Sequence, residues 1–172
     1  TLANDGELRE ENGRWEIVGD PTEVSLIVAA RKVKADRKIK RYTRVGEIPF
    51  TSERKRMSII AKDSTDSDKL TVFAKGAPDV LIGKCAYYID SDGRRVPMTD
   101  EYRAEILRAN KAMADRALRV LACAERVWDA KPVNFEPETL EQELCFMGLC
   151  GMIDPVRPEV VDAIAECREA GI

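Results

Sequence analysis

The chain contains no histidine among its 172 residues. Without an imidazole, Ser-His-Asp and Cys-His catalysis are excluded, and a transition-metal site loses its most common ligand. The five cysteines are an odd number and include no Cys-x-x-Cys pair, so we expect neither a disulfide framework nor a zinc site. We therefore predict no metal site, and reduced thiols buried in apolar strands would fit a cytosolic compartment.

The sequence also lacks long apolar runs and the usual phosphate-binding loops. No run approaches the roughly 18–20 apolar residues that a membrane helix needs, so we predict no direct membrane contact. Neither GxxxxGK[ST] nor GxGxxG occurs, and a nucleotide site would therefore need another geometry. The chain begins with Thr1 instead of methionine and carries no signal peptide, as an excised piece of a larger protein would.

The charge of the chain does not indicate a particular class of binding partner. The net charge of −3 provides no general attraction to nucleic acid or anionic lipid. The strongest basic run, RKVKADRKIKR at 31–41, is interpreted as a solvated helix end and linker. Contact with nucleic acid is the minority alternative, because no aromatic residues interleave with these charges. We predict no nucleic-acid partner.

The pattern of apolar residues predicts short strands grouped as hairpins, with helices between them. Strands are expected at 14–19, 44–50, 56–62, 70–75, 86–90, 119–128 and 144–153, and helices at 19–33, from about 78, at 99–118 and at 157–172. Because this order is not a regular βαβ alternation, we predict the α+β class, with a largely antiparallel twisted sheet flanked by helices. The length suits one ordinary domain with a core of its own.

The two longest helices carry start signals and apolar faces. Asp20 suits the N-cap of the first, with Pro21 at its first position and Glu23 placed as in a capping box. Its apolar face is predicted to be Val24, Ile27, Val28 and Val33. The helix at 99–118, capped by Thr99 or Asp100, has a stripe that we interpret as core packing: Tyr102, Ile106, Ala109, Met113 and Ala117.

Four separated segments carry groups that could bind a nucleotide. Glu23 lies at a helix N-terminus, where a carboxylate is stabilised and can accept a hydrogen bond from an amino group. Phe50 follows a strand, and an exposed aromatic ring can stack on a purine. Lys75 offers a cation beside the bare backbone of Gly76, and Arg119, with Arg116 before it, can meet a phosphate with a guanidinium fork.

Each segment also has a simpler explanation. Glu23 would only cap its helix, and Phe50 would belong to the core. Lys75 and Gly76 would form a strand-to-helix turn with an exposed lysine, and the arginines would be solvated. The residues alone leave these alternatives open.

Five motifs occur in the order typical of type II cation-transporting P-type ATPases: GDPTE, PFTSERKRMS, KGAPD, RALRVLA and GMIDPVRPEVVDAIAECREAGI. TLANDG also resembles the LCNDA-type segment of that family, and the match spans nearly the whole chain. The resemblance implies a nucleotide-binding (N) domain at 1–153. It implies a hinge and the first helix of the phosphorylation (P) domain at 154–172, with Asp154 and Arg157 in the hinge.

The resemblance also implies a role for each matching position. The implied ATP-binding residues are Glu23, Phe50, Lys55, Met57, Lys75, Gly76, Ala77, Arg119 and Leu121. In the family pattern, Phe50 stacks on adenine and Glu23 reads its amino group. Lys75 lines the depth of the pocket, with Gly76 and Ala77 as its close wall.

The remaining positions complete that pocket. Lys55 resembles a second pocket lysine, and Met57 resembles a residue of the wall. Arg119 resembles the arginine that holds the polyphosphate, with Leu121 beside it. No residue of the chain is implied to be catalytic.

The chain departs from the family pattern in several places. Ser52 stands where the family often has arginine, so one phosphate contact would be lost or replaced by Arg54. Asp79 replaces the usual glutamate, and Val156 replaces a proline. The DKTG, TGES and GDGxND segments do not occur in the chain. By the resemblance it therefore has no phospho-acceptor aspartate and no complete Mg²⁺ site, and it should bind ATP without hydrolysing it.

The resemblance implies a place in a larger enzyme. The N domain of an integral membrane pump holds adenine on the cytoplasmic side and presents the γ-phosphate of Mg-ATP to an aspartate on the P domain. The expected partners are ATP and the P and actuator domains, and the chain alone is expected to be monomeric. FMGLCGMIDPVRPEV favours a calcium pump, with sodium/potassium and proton pumps as alternatives. A rival function is a regulatory or interaction module that has lost nucleotide binding.

Overall fold

The architecture comes from a computed structural model that describes residues 2–35, 40–129, 132, 134–154 and 157–172. Within these ranges the strands are β1 (Glu7–Glu11), β2 (Arg14–Val18), β3 (Tyr42–Ile48), β4 (Arg56–Asp63), β5 (Asp66–Gly76), β6 (Cys85–Ile89), β7 (Arg95–Pro97), β8 (Arg119–Trp128) and β9 (Leu144–Met152). The helices are α1 (Pro21–Lys32), α2 (Pro78–Leu81), α3 (Asp100–Ala114), α4 (Pro137–Leu140) and α5 (Pro158–Glu169), with a 3-10 turn at Ile82–Lys84.

Seven strands form one sheet in the order β3-β4-β5-β8-β9-β6-β7, and β1 and β2 form a separate hairpin. Every pairing in the large sheet is antiparallel except that of β6 with β9. The predicted α+β class with a largely antiparallel sheet is therefore confirmed. Because β5 pairs with β8, residues far apart in sequence lie side by side at the centre of the sheet.

The two faces of the sheet are covered by different helices. One face packs α2 and α3 onto alternate residues of the central strands, including Ala74, Ala122 and Ala124, around the buried side chain of Ile106. The opposite face carries Met57, Ile59 and Ala61 of β4, and α1 lies over this face. Since side chains alternate along a strand, Lys75 points to the same face as Met57, its partner across β4 and β5.

Three details of the predicted helices are wrong. The helix expected to reach 118 ends at Ala114, because the chain turns at Ala117, with φ of +58°, and enters β8. Ala117 and Ala109 are exposed, so only part of the stripe packs in the core, chiefly Ile106. On α1 the buried residues are Val24 and Leu26, and Val33 lies beyond the last turn with 74% of its surface exposed.

Helix α5 forms at the predicted place, but its apolar side is exposed and does not pack in the core. Val161 is 66% exposed and Ile164 is 49% exposed, and every residue from 161 to 172 is exposed. An apolar helix face of this kind normally packs on another element. Among the described residues, no helix combines the length and the apolarity that a membrane crossing requires.

Candidate functional site

The first element of the site is an ion pair at the beginning of α1. The side chain of Asp20 caps the helix by accepting from the backbone N–H groups of Thr22 and Glu23, as predicted. Glu23 does not complete a capping box, because its carboxylate accepts from donors elsewhere in the chain. Its Oε1 accepts from the ammonium of Lys75 at 2.7 Å, across 52 residues of sequence. Both side chains are largely buried, with 11% of Lys75 and 19% of Glu23 exposed.

The other oxygen of Glu23 holds the N-terminal segment. Oε2 accepts from the backbone N–H of Asp5 at 3.0 Å and from that of Gly6 at 3.1 Å. Gly6 lies so close to α1 that a Cβ there would come within 2.8 Å of Val24. A carboxylate offers about four lone-pair positions, and three are used here by described residues. One acceptor position on Oε1 therefore remains, next to the ammonium of Lys75.

Arg119 approaches the same helix end from β8. Its guanidinium donates to the hydroxyl of Thr22 at 3.1 Å, across 97 residues of sequence. The pKa of Asp20 is lowered, chiefly by its hydrogen bond with the Thr22 hydroxyl and in smaller part by the positive charge of Arg119. Leu121, two residues along β8, points to the same face of the sheet as Arg119. The structure thus brings Glu23, Lys75 and Arg119 to one end of α1.

Phe50 lies in a short loop between β3 and β4, and its side chain is accessible. With 59% of its surface exposed, it is not a core residue. The loop is closed by the Arg54 guanidinium, which donates to the Pro49 carbonyl at 2.7 Å. It ends at Lys55, whose backbone has a left-handed φ of +52°. The Lys55 carbonyl accepts from the N–H of Ala77 at 2.9 Å, so this loop lies against the end of β5.

Gly76 has a packing reason of its own. A Cβ at this position would come within 2.5 Å of the Arg56 Cβ and 2.6 Å of the Lys55 carbonyl oxygen. The missing side chain therefore lets β5 pass close to the loop that carries Phe50. Close approach of a ligand is not needed to explain this glycine, although its backbone lies beside Lys75.

A buried carboxylate that sequence reasoning missed anchors the same loop. Glu141 is fully buried, and its carboxylate accepts from the guanidinium groups of Arg54 and Arg56 and from the hydroxyl of Ser58. Burial raises the pKa of Glu141, but these three hydrogen bonds outweigh burial and the net pKa is lowered. Arg54 is thus committed to Glu141, and we assign it no phosphate contact in place of the arginine that Ser52 replaces.

Beneath α1 lies an apolar cavity of about 570 Å³. Leu26, Ala29 and Ala30 line it from α1, and Phe73 and Lys75 are among the lining residues from the sheet. Of the nine residues predicted to bind ATP, only Lys75 lines this cavity, as far as the described residues define it. Met57 is instead a buried core residue, 3% exposed, packed with its cluster on β4.

The remaining predicted positions lie elsewhere. Asp154 and Arg157 are exposed in the segment between β9 and α5, and Arg157 occupies the N-cap position of α5. Between them, 155 and 156 lie outside the described residues, which leaves the Val156 departure without a structural reading. The basic run at 31–41 is described only in part, because 36–39 also lie outside.

Comparisons with known proteins all match the chain to one family. A family model described as "P-type ATPase, cytoplasmic domain N" matches residues 1–159. Calcium-transporting ATPase 1 of Bacillus cereus is 38% identical over 173 residues, and calcium-transporting ATPase of Bacillus subtilis is 38% identical over 175 residues. Probable cation-transporting ATPase F of Mycobacterium tuberculosis is 36% identical over 172 residues. Each match covers 99% of this chain but only 18–19% of the relative.

Proposed function

Because the chain belongs to the family of P-type ATPase cytoplasmic N domains, we propose that it binds ATP where α1, the Phe50 loop and the ends of β5 and β8 meet. The observation that carries the proposal is the convergence of Glu23, Lys75 and Arg119 at one helix end, through contacts that span 52 and 97 residues of sequence. In this proposal the loop with the exposed ring of Phe50 lies beside them.

The adenine base is held by stacking and by one polar contact. Phe50 offers an exposed ring, and stacking of a base on an aromatic side chain contributes about 1–3 kcal/mol. Glu23 retains one acceptor position, which suits the exocyclic amino group of adenine. The hydrogen bonds to Asp5, Gly6 and Lys75 keep that carboxylate in place, so the acceptor is oriented before the ligand arrives.

The phosphates are held by cations on the other side of the base. Lys75 carries three N–H donors, and one of them goes to Glu23. Arg119 is exposed and tethered only to a neutral hydroxyl among the described residues, so its guanidinium is available to the outer phosphates. Lys55 and the backbone of Gly76 and Ala77 border the base side of the pocket, with Met57 and Leu121 behind.

In the longer protein, the role of this chain is to position the nucleotide. We propose that 1–153 is the N domain and that 154–172 is a hinge, around Asp154 and Arg157, with the first P-domain helix. The exposed apolar side of α5 supports this boundary, because it suits a helix that packs on a further domain. Closure of the hinge would present the γ-phosphate of Mg-ATP to an aspartate outside this chain, in line for transfer.

The cation moved by such a pump is proposed to be calcium. Two of the relatives described above are calcium-transporting ATPases by name. The proposed partners are the P and actuator domains of the same pump. Affinity for ATP should be modest, because the chain carries only one side of the phosphate contacts.

Titration of the isotope-labelled chain with ATP, followed by backbone amide NMR, tests the proposal. We expect shifts at Phe50, Lys75 and Gly76, and at Asp5 and Gly6, whose N–H groups hold the Glu23 carboxylate. No shifts with ATP, ADP or AMP would overturn the proposal and favour a regulatory module with this fold. Shifts confined to 31–41 on adding a single-stranded oligonucleotide would favour nucleic-acid binding.

A further inference from the structure

Two cysteines lie side by side on the sheet face that α1 covers. Cys123 on β8 pairs with Gly148 of β9, and Leu121 pairs with Cys150. Cys123 and Cys150 are therefore diagonal neighbours on adjacent strands, and both line the cavity beneath α1. Both cysteines are free, and each is a half-buried residue at the border of that cavity.

The two thiol groups of the pair interact with each other. The Cys123 thiol hydrogen-bonds to the Cys150 sulfur, and this bond lowers the pKa of Cys150 to about 6. The same bond raises the pKa of Cys123, and burial raises it further. The hydrogen bond therefore favours the thiolate of Cys150 beside the thiol of Cys123, which is the arrangement of an attacking and a resolving cysteine.

We propose that Cys123 and Cys150 form a redox modification site that a hydroperoxide converts to an intrachain disulfide. The Cys150 thiolate attacks the peroxide, the O–O bond breaks, and Cys150 becomes a sulfenic acid while the leaving oxygen takes a proton. The Cys123 sulfur then attacks the Cys150 sulfur and displaces hydroxide, which leaves as water with the proton of the Cys123 thiol. The two thiols lose two electrons in all, and the hydroperoxide is reduced to an alcohol, or to water, plus one further water.

The other cysteines provide internal comparisons. Cys85 and Cys145 are both buried, and burial raises the pKa of Cys85 to about 12, so neither is a competent nucleophile. Cys167 is exposed on α5 but has no other cysteine near it in sequence. Reaction with peroxide is therefore expected at the pair first, and a disulfide is expected only there.

The site lies next to the proposed nucleotide pocket but does not depend on it. Cys123 is the direct partner of Lys75 across β5 and β8, and the disulfide would join β9 to β8, the strand that carries Arg119 and Leu121. Formation of the bond is measured without nucleotide. Its failure would therefore say nothing about ATP binding, and a failure of ATP binding would say nothing about the bond.

The test treats the reduced chain with hydrogen peroxide and maps cysteine-containing peptides by mass spectrometry. We expect a mass lower by two hydrogen atoms and a cross-link joining tryptic peptide 120–126, in which Cys123 is the only cysteine, to Cys150. Dithiothreitol should reverse the change. The matched control Cys167→Ala should form the same cross-link, since it removes only the exposed thiol.

Two further variants separate the roles of the pair. Cys123→Ala removes both the resolving thiol and the hydrogen bond that lowers the Cys150 pKa, so Cys150 should react more slowly than in the wild type and its product should stop at a sulfenic acid, trapped by dimedone. Cys150→Ala should leave Cys123 reduced under the same treatment. The proposal would be overturned if the wild-type chain cross-linked through Cys167, or if Cys123 and Cys150 stayed reduced while Cys167 was oxidised.

Discussion

Two carboxylates, Glu23 and Glu141, each bind a cation from a distant part of the chain, and they invite comparison. Glu23 accepts three hydrogen bonds from Lys75, Asp5 and Gly6. Glu141 also accepts three, from Arg54, Arg56 and Ser58. Both join distant parts of the chain through cations. They differ in access, because 19% of the Glu23 side chain is exposed and none of the Glu141 side chain is.

This difference in exposure gives the two carboxylates different roles: Glu141 supports the structure, and Glu23 is proposed to bind a ligand. A fully buried carboxylate can hold arginines in place but cannot meet a ligand, whatever acceptor position it has left. Glu141 therefore acts as a positioning residue that fixes the loop through Arg54 and Arg56. Glu23, with exposed surface and one acceptor position left, can hold the N-terminal segment and still bind a ligand. The predictions below test this division of roles.

The largest effect is expected from Glu141→Gln. Removing the buried negative charge leaves Arg54 and Arg56 without their counter-charge, and breaking a buried ion pair in this way costs about 3–5 kcal/mol. Urea unfolding followed by circular dichroism measures the loss. The control Glu138→Gln, at an exposed position of α4, should change stability by no more than about 0.5 kcal/mol. Equal losses in the two variants would contradict the supporting role of Glu141.

The same carboxylate should give stability that depends on pH. The pKa of Glu141 is lowered in the folded chain, so the folded state binds this proton less readily than the unfolded state does. Its stabilisation is fully present above the unfolded pKa of about 4.3 and is lost as pH falls through the lower folded value. The stability gap between the wild type and Glu141→Gln should therefore narrow below about pH 4. A gap that stayed constant from neutral to acid pH would count against the assignment.

Replacing Phe50 should weaken nucleotide binding without unfolding the chain. Loss of stacking predicts a cost of about 1–3 kcal/mol, which is about 5- to 150-fold in affinity for AMP. Trp15→Ala is the matched control, because Trp15 is 56% exposed on the separate hairpin and should leave affinity unchanged. Calorimetric titration of both variants measures the difference. The assignment fails if the two lose affinity for AMP equally.

Arg119→Ala should have a smaller effect with AMP than Phe50→Ala has. The guanidinium is proposed to serve the outer phosphates, which AMP lacks, so the gap between the variants should narrow when ATP replaces AMP. The same calorimetric series measures it. Equal losses with AMP would mean that the base and phosphate roles are not divided as proposed.

The chain is not expected to phosphorylate itself. The DKTG segment that carries the phospho-acceptor aspartate in the resembled family does not occur. Incubation with γ-labelled ATP and acid quenching should therefore leave no label on the protein. Acid-stable label that hydroxylamine removes would overturn this expectation.

Local features of this fold could be predicted from sequence, and long-range contacts could not. Strand β8 begins and ends as predicted at 119–128, because an apolar run between charged segments is a local signal. The pairing of Arg54 and Arg56 with Glu141 spans more than 80 residues. The run of three cations at 54–56 indicates that a negative charge lies nearby, but it does not indicate which residue carries that charge. The packing reason for Gly76 likewise depends on which loop β5 passes.

The candidate site shows the same limit. Glu23, Phe50, Lys75 and Arg119 were singled out from the residues, and the resemblance assigned their roles, but the capping box inferred at Glu23 was wrong. The local pattern could not reveal that the Lys75 ammonium and the N–H groups of Asp5 and Gly6 compete for that carboxylate.

The different roles of Glu23 and Glu141 can be tested directly by NMR of their side-chain carboxyl carbons. The chain would be labelled with glutamate carrying ¹³C at the side-chain carboxyl, and the two signals assigned with Glu23→Gln and Glu141→Gln. On titration with AMP, the account predicts that the Glu23 signal moves with saturation while the Glu141 signal stays in place. A saturable shift at Glu141 with none at Glu23 would contradict it.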